Sequence, residues 1–262
     1  MNAERWNTRP RAGDARFRLV RISLLAALWA LAWGAQSAAQ APSRSRAKGL
    51  PAAASSPHEQ VERMLARLLR APEFHSHVLI TRSDPFGGPP ERTAGRIWFL
   101  PGRGLRFKHE ERSGEDIVVD REKSLFLVYR PSERVLYRAD WDRAPARMKS
   151  LIMEPERILD ADYRAVRERR IAGGAWREGY RIHRSASSDS LPNVSVWVAA
   201  DPATGLPRWV SAGGEEDSVE VEFRSIVILS KANPRDLALN VPPKVRTEPL
   251  DAREFLPGGE SR

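Results

Sequence analysis

Ile117-Val-Val-Asp-Arg-Glu-Lys-Ser-Leu-Phe-Leu-Val-Tyr-Arg-Pro131 reads as two short apolar strands joined by a polar turn. Further short strands lie on both sides of it, with no internal repeat. Upstream, Phe74-His-Ser-His-Val-Leu-Ile-Thr-Arg82 has a period of two, and Arg92 to Leu100 contains Ile97-Trp-Phe-Leu100. The tight turn Pro101-Gly-Arg-Gly104 then leads into the alternating stretch Leu105-Arg-Phe-Lys-His-Glu-Glu111. Downstream, Val135-Leu-Tyr-Arg138 is a further short strand. Strands spaced by about 8–12 residues, with no helix between them, predict an antiparallel meander, because parallel neighbours need longer crossovers.

The pattern breaks between residues 141 and 163, where Pro145, Met148, Leu151, Ile152 and Met153 predict a short amphipathic helix that Pro155 stops. Strands resume around Trp176-Arg-Glu-Gly-Tyr-Arg-Ile-His183. Val194 to Ala200 meets the turn Asp201-Pro-Ala-Thr-Gly-Leu-Pro207, and Arg208-Trp-Val-Ser211 pairs back. Val219, Val221 and Phe223 alternate with Glu220, Glu222 and Arg224, so one face of that strand is dry and the other wet. A last short strand is predicted near Leu237–Val241, before Pro242-Pro243.

One helix announces itself before the first strand. Ser56 can cap it, Pro57 suits its first position and Glu59 completes a capping box. Val61, Met64, Leu65, Leu68 and Leu69 share one face, and Pro72 ends the run. The predicted fold class is α+β: a curved antiparallel sheet forming an unclosed β-barrel, covered by short α-helices. A sheet of this many strands is expected to curl.

The 262 residues carry 43 Lys plus Arg against 34 Asp plus Glu, a formal charge of +9, and no cysteine. Disulfides, thiolate metal sites, a cysteine nucleophile and a lipidated N-terminal cysteine are thereby excluded. Residues 1–21 hold six arginines; Ile22 to Trp33 is apolar, and Gly34-Ala-Gln-Ser-Ala-Ala-Gln-Ala41 is small. A basic start, a short apolar run and small residues make a secretory signal peptide, shorter than the about 20 apolar residues of a spanning helix. The predicted organisation is a signal peptide over 1–40, a flexible linker over 41–56, one domain over 57–246 and a disordered tail over 247–262. The expected location is the periplasm.

No phosphate-binding loop, G-x-S-x-G, H-E-x-x-H or G-x-G-x-x-G motif is present. His75 and His77 share one strand face, without identifiable third and fourth ligands. Acid pairs such as Glu110-Glu111 and Asp160/Asp162 read as solvated charges. No catalytic residue, metal or cofactor is expected, and no Lys/Arg block interleaved with aromatics suggests nucleic acid. What stands out is apolar excess on the strands and on the short Met-rich helix. The candidate lipid-binding residues are Trp98, Phe107, Phe126, Tyr129 and Tyr137 on strands, with Met148, Leu151, Ile152 and Met153 as a movable cover.

In its order of motifs, the chain resembles the LolA-type periplasmic lipoprotein carriers from the helix at 57–70 to about Pro242. Gly95-Arg-Ile-Trp-Phe-Leu-Pro-Gly-Arg-Gly-Leu-Arg-Phe107 is similar to the family's Gly, apolar strand, Pro and Phe-Arg stretch. Asp120, Tyr129 and Pro131 match its next stretch, where the family's glycine is Arg121 here. Met148–Met153 resembles the lid helix, and Asn240-Val-Pro-Pro243 the closing strand. The family often has an arginine before the Pro of the second-strand turn, which hydrogen-bonds the lid shut; that position is Leu100. The resemblance implies an unclosed barrel holding acyl chains of lipoproteins. Implied partners are an inner-membrane ABC transporter and an outer-membrane acceptor, with the chain itself expected to be a monomer. The same fold also implies a second reading, a lipid-sensing regulator of envelope stress that binds an anti-sigma factor.

Overall fold

The computed structural model describes residues 55–84, 88–143, 163–184, 196–213 and 218–250. The expected signal peptide, most of the linker, the expected lid and the chain end after Leu250 lie outside these residues.

Helix α1 runs over Pro57–Leu69. Ser56 caps it as the sequence predicts: its hydroxyl accepts the Glu59 N–H while the Glu59 carboxylate accepts the Ser56 N–H at 2.9 Å. Two otherwise orphaned N–H groups are satisfied in this way. Val61, Met64, Leu65 and Leu68 are buried as one stripe. Burial of such side chains contributes about 1.5–3 kcal/mol each, well beyond what helix propensity alone supplies.

Among the described residues, twelve strands make one sheet. In chain order they are β1 (Glu73–Arg82), β2 (Glu91–Leu100), β3 (Gly104–His109), β4 (Asp116–Asp120), β5 (Leu125–Arg130), β6 (Val135–Asp140), β7 (Tyr163–Ala172), β8 (Ala175–Arg184), β9 (Val196–Ala200), β10 (Pro207–Gly213), β11 (Ser218–Leu229) and β12 (Arg246–Pro249). In space the order is β12-β6-β5-β4-β3-β2-β1-β11-β10-β9-β8-β7. Two meanders, β1 to β6 and β7 to β11, are therefore zipped together where β1 meets β11. Every pair is antiparallel except β12 on β6. The sheet is curved and does not close: β12 and β7 are its two edges. Irregularities at His77/Val78 and at Pro207/Trp209 fall in the middle of this ribbon, where a bulge adds bend and twist.

Alternation along the strands separates two faces. The face toward α1 collects Phe74, Val78, Ile80, Ile97, Phe99, Leu105, Phe107, Ile117, Val119, Phe126, Val128, Val196, Val198, Val210, Val221 and Phe223 in one cluster. The opposite face carries Leu100, Val118 and Leu237 in one patch and Ala172, Trp197, Ala199 and Trp209 in another. Gly95 on β2 is needed at the centre: a Cβ there would lie 2.4 Å from the ring of Phe107.

The structure departs from the sequence reading in three places. Leu237–Val241 is not a strand; Pro234–Leu237 forms a short 3-10 helix, capped by the Asn233 side chain on the Arg235 N–H. The chain end is ordered further than residue 246, because Arg246–Pro249 pairs alongside β6 and Leu250 is buried. Strand β7 has no counterpart in the prediction. Its sequence, Tyr163-Arg-Ala-Val-Arg-Glu-Arg-Arg-Ile-Ala172, is dense in charge because it is an edge strand, and charge hides a strand signal based on apolar alternation. The Gly173-Gly174 turn that follows was the legible clue. Among the described residues α1 is the one α-helix; Trp141–Arg143 is a second 3-10 turn.

Candidate functional site

The strongest candidate is the apolar face of the sheet under α1. The helix is fixed toward one end of that face. The Tyr180 hydroxyl on β8 donates to Oε1 of Gln60, and the Arg67 guanidinium donates to the carbonyl of Thr204 in the β9–β10 turn. α1 also packs on β7. At the other end, β3 to β6 present Phe107, Ile117, Val119, Phe126 and Val128, flanked by Tyr137 and Ala139. Trp141, just after β6, stacks on Phe126 with ring centroids 6.4 Å apart and planes at 15°.

The expected lipid-binding residues divide between the two faces. Phe107, Phe126 and Tyr137 share the apolar face. The Tyr137 hydroxyl donates to Glu133 at 2.9 Å, and the Arg130 guanidinium lies 4.8 Å above its ring. Burial, together with the carboxylate of Glu133, pushes the Tyr137 phenol up from its ordinary range, so it stays protonated. Trp98 points the other way, between the guanidiniums of Arg96 at 5.6 Å and Arg106 at 5.1 Å. Tyr129 also lies on that opposite face, directly across from Asp116. The structure therefore brings three of the five strand aromatics together and sends two to the far side. Met148, Leu151, Ile152 and Met153 lie outside the described residues.

Leu100, which stands where the related carriers often have an arginine, is fully buried on the opposite face against Val118 and Leu237. From there it stabilises the 3-10 helix, and it does not face α1.

Polar groups on both faces of the sheet are committed to structure. Arg106 makes a two-pronged pair with Asp116, at 2.9 and 2.6 Å, and donates to the carbonyl of Ala238 at 2.8 Å. This fork clamps the segment after the Pro234–Leu237 3-10 helix onto β3 and β4. Arg130 bonds the buried Glu115 at 2.7 Å. His77 is engaged on both ring nitrogens, by Glu110 at 3.0 Å and by Arg96 at 2.8 Å, so it is not a ligand in waiting beside His75. Burial lowers the His109 imidazole from its ordinary range, although nearby carboxylates oppose the shift. Among the described residues no group of three or more His, Asp or Glu could hold a metal ion. No helix among them is long and apolar enough to cross a membrane.

What sequence reasoning missed is a layer of arginines on indoles beyond Trp98. Arg170 sits 5.9 Å from the Trp197 centroid; Arg177 and Arg208 sit 4.4 and 5.4 Å from that of Trp209. Arg208 is beside Trp209 in sequence, but Arg170 and Arg177 reach Trp197 and Trp209 across an intervening strand, a relation only the sheet order reveals.

No family model matches the chain, and no curated protein does. Among solved structures the chain is similar to an uncharacterized conserved protein of Thermus thermophilus, with 11% identity, 75% of this chain and 100% of that one covered and a TM-score of 0.45. It is similar to a LolA superfamily protein of Nitrosomonas europaea, with 11% identity, 70% and 97% covered and a TM-score of 0.39. It is also similar to MucB in the Pseudomonas aeruginosa MucA/MucB complex, with 12% identity, 70% and 61% covered and a TM-score of 0.39. The second of these carries the name of the family that the sequence motifs resemble.

Proposed function

We propose that the protein is a periplasmic binder and carrier of acyl chains, taking lipoproteins or other acylated molecules on the apolar face of its sheet for transfer toward the outer membrane. One observation carries the reading. A single apolar surface runs across the unclosed sheet from β6 to β8, and the side-chain bonds from Gln60 and Arg67 of α1 reach its β8 and β9–β10 end. Hydrocarbon is recognised by burial alone, at about 25 cal/mol per Å² of apolar area, and needs no polar constellation. The absence of catalytic motifs in the sequence agrees with binding rather than turnover.

Phe107, Phe126 and Val128 are at most 4% exposed, so the surface is shielded in this conformation. An acyl chain has to displace the groups that shield it, which ties uptake to opening on the α1 side of the sheet. Phe107, Phe126 and Tyr137 are the proposed lining; Trp98 and Tyr129 belong to the other face. Titration with a dansyl-labelled fatty acid tests the reading. Saturable blue-shifted emission that unlabelled palmitate displaces supports it. Emission indistinguishable from that in buffer refutes it.

A further inference from the structure

We infer that the tip of the β7–β8 hairpin is a docking element for an anionic lipid bilayer. The inference goes beyond acyl binding and concerns a different part of the molecule.

Ile171 and Trp176 stand directly opposite each other at the end of the hairpin. They are 61% and 63% exposed, more than any other large hydrophobic side chain among the described residues. Gly173 and Gly174, with φ of 57° and 77°, make the turn beyond them, a conformation that a β-carbon would strain. The two side chains therefore project together at the tip instead of packing back on the sheet.

Charge surrounds them on both sides. Arg169 lies 5.8 Å from the Trp176 ring centroid. Arg170 and Arg177, on the other face of the hairpin, are held over Trp197 and Trp209. The hairpin from Tyr163 to Arg184 contains seven arginines against Glu168 and Glu178. Glu168 is already tied to Arg181. The six arginines and two acids of residues 1–40 leave +5 of the total +9 on the rest of the chain, and the hairpin alone accounts for that excess. The positive charge that remains is thus gathered on the element that also exposes the apolar pair.

The arrangement fits a bilayer better than a protein patch. Arg167 and Arg169 lie on the α1 side of the hairpin, while Arg170, Arg177 and Arg181 lie on the other. A flat protein surface would meet one of these sets. A headgroup layer entered end-on meets both, with the tryptophan at the depth that indoles prefer and the guanidiniums among the phosphates.

The chain has no native cysteine, so a single label can be placed at will. Ala175→Cys in the full chain, labelled with an environment-sensitive nitrobenzoxadiazole dye, reports on the tip. Ser132→Cys, in the exposed β5–β6 turn, reports on a distant site. With vesicles of phosphatidylcholine and phosphatidylglycerol, the tip label is expected to brighten several-fold and shift to the blue, while the distant label stays unchanged. The response is expected to fall in 1 M salt, where the Debye length shrinks to about 3 Å. It is expected to disappear when Ile171→Ser and Trp176→Ser are combined, exposed changes that leave circular dichroism unaltered. No response at the tip, or an equal response at both labels, would overturn the inference. So would an equal response to pure phosphatidylcholine. Fatty-acid uptake is not part of the readout, so failure here leaves the acyl-binding proposal standing, and the reverse holds too.

Discussion

The hydroxyl of Tyr180 donates to Oε1 of Gln60, a bond between residues 120 positions apart that pins the first helix to β8. Neither partner is apolar, yet this bond and that of Arg67 to Thr204 fix where α1 lies on a largely apolar surface. Hydrophobic burial is non-directional; it holds α1 on the sheet, and these two bonds decide its position.

Tyr180→Phe removes the hydroxyl and leaves the ring. The expected loss is about 1 kcal/mol, the usual net value of one such bond. Hydrogen exchange is expected to accelerate in Val61–Leu68 more than in β3 and β4. Uniform acceleration across the chain would mean that the bond supports the whole fold and not the seating of α1.

Gly95→Ala places a methyl 2.4 Å from the Phe107 ring and 2.9 Å from the Lys108 carbonyl. Backbone cannot give way as a flexible side chain can, so β2 and β3 have to separate. The expected cost is about 1–3 kcal/mol, the range for overpacked cores. Reducing the ring by Phe107→Leu in the same chain is expected to recover part of it. Thermal melts of the two variants measure the effect, and no recovery would place the strain in the backbone contact.

Glu73 is fully buried at the start of β1, where its carboxylate accepts the Asn233 N–H at 2.7 Å. Burial pushes its carboxyl above the ordinary range, and the nearby Asp236 adds to the shift. The folded state therefore holds this proton to higher pH than the unfolded chain does. Stability from this group is present below the unfolded value and falls as pH rises through the folded one. Glu73→Gln keeps an acceptor for Asn233 and adds a permanent donor toward Asp236. The variant is expected to gain about 1 kcal/mol near pH 8, or roughly 2–4 °C in Tm. The gain is expected to shrink toward pH 4. A gain that does not vary with pH would assign it to something other than the proton.

The architecture was legible because period-two alternation survives wherever one face of a strand is dry. Ile97-Trp-Phe, Leu105-Arg-Phe and Val219-Glu-Val-Glu-Phe each announced their strand, and Ser56-Pro-His-Glu announced α1 with its cap. Strand β7 was illegible because arginines on both faces, Arg167 and Arg169 on one and Arg164 and Arg170 on the other, break the apolar alternation that reveals a strand. Strand β12 was hidden for another reason. Arg-Thr-Glu-Pro has no apolar residue at all, and only its place beside β6, with Leu250 buried after it, makes it structure. The site was half legible. Aromatic content on the strands could be read, but the face each ring takes depends on register, and a one-residue difference in parity sends Trp98 away from Phe107.

Native mass spectrometry of the protein, purified from cells without detergent, shows whether it carries acyl chains. The expected result is a population heavier than the bare chain by the mass of an acylated molecule, released by organic solvent and identified by its fatty acids. A single species at the mass of the bare chain, unchanged after incubation with palmitate or a triacylated peptide, would contradict it.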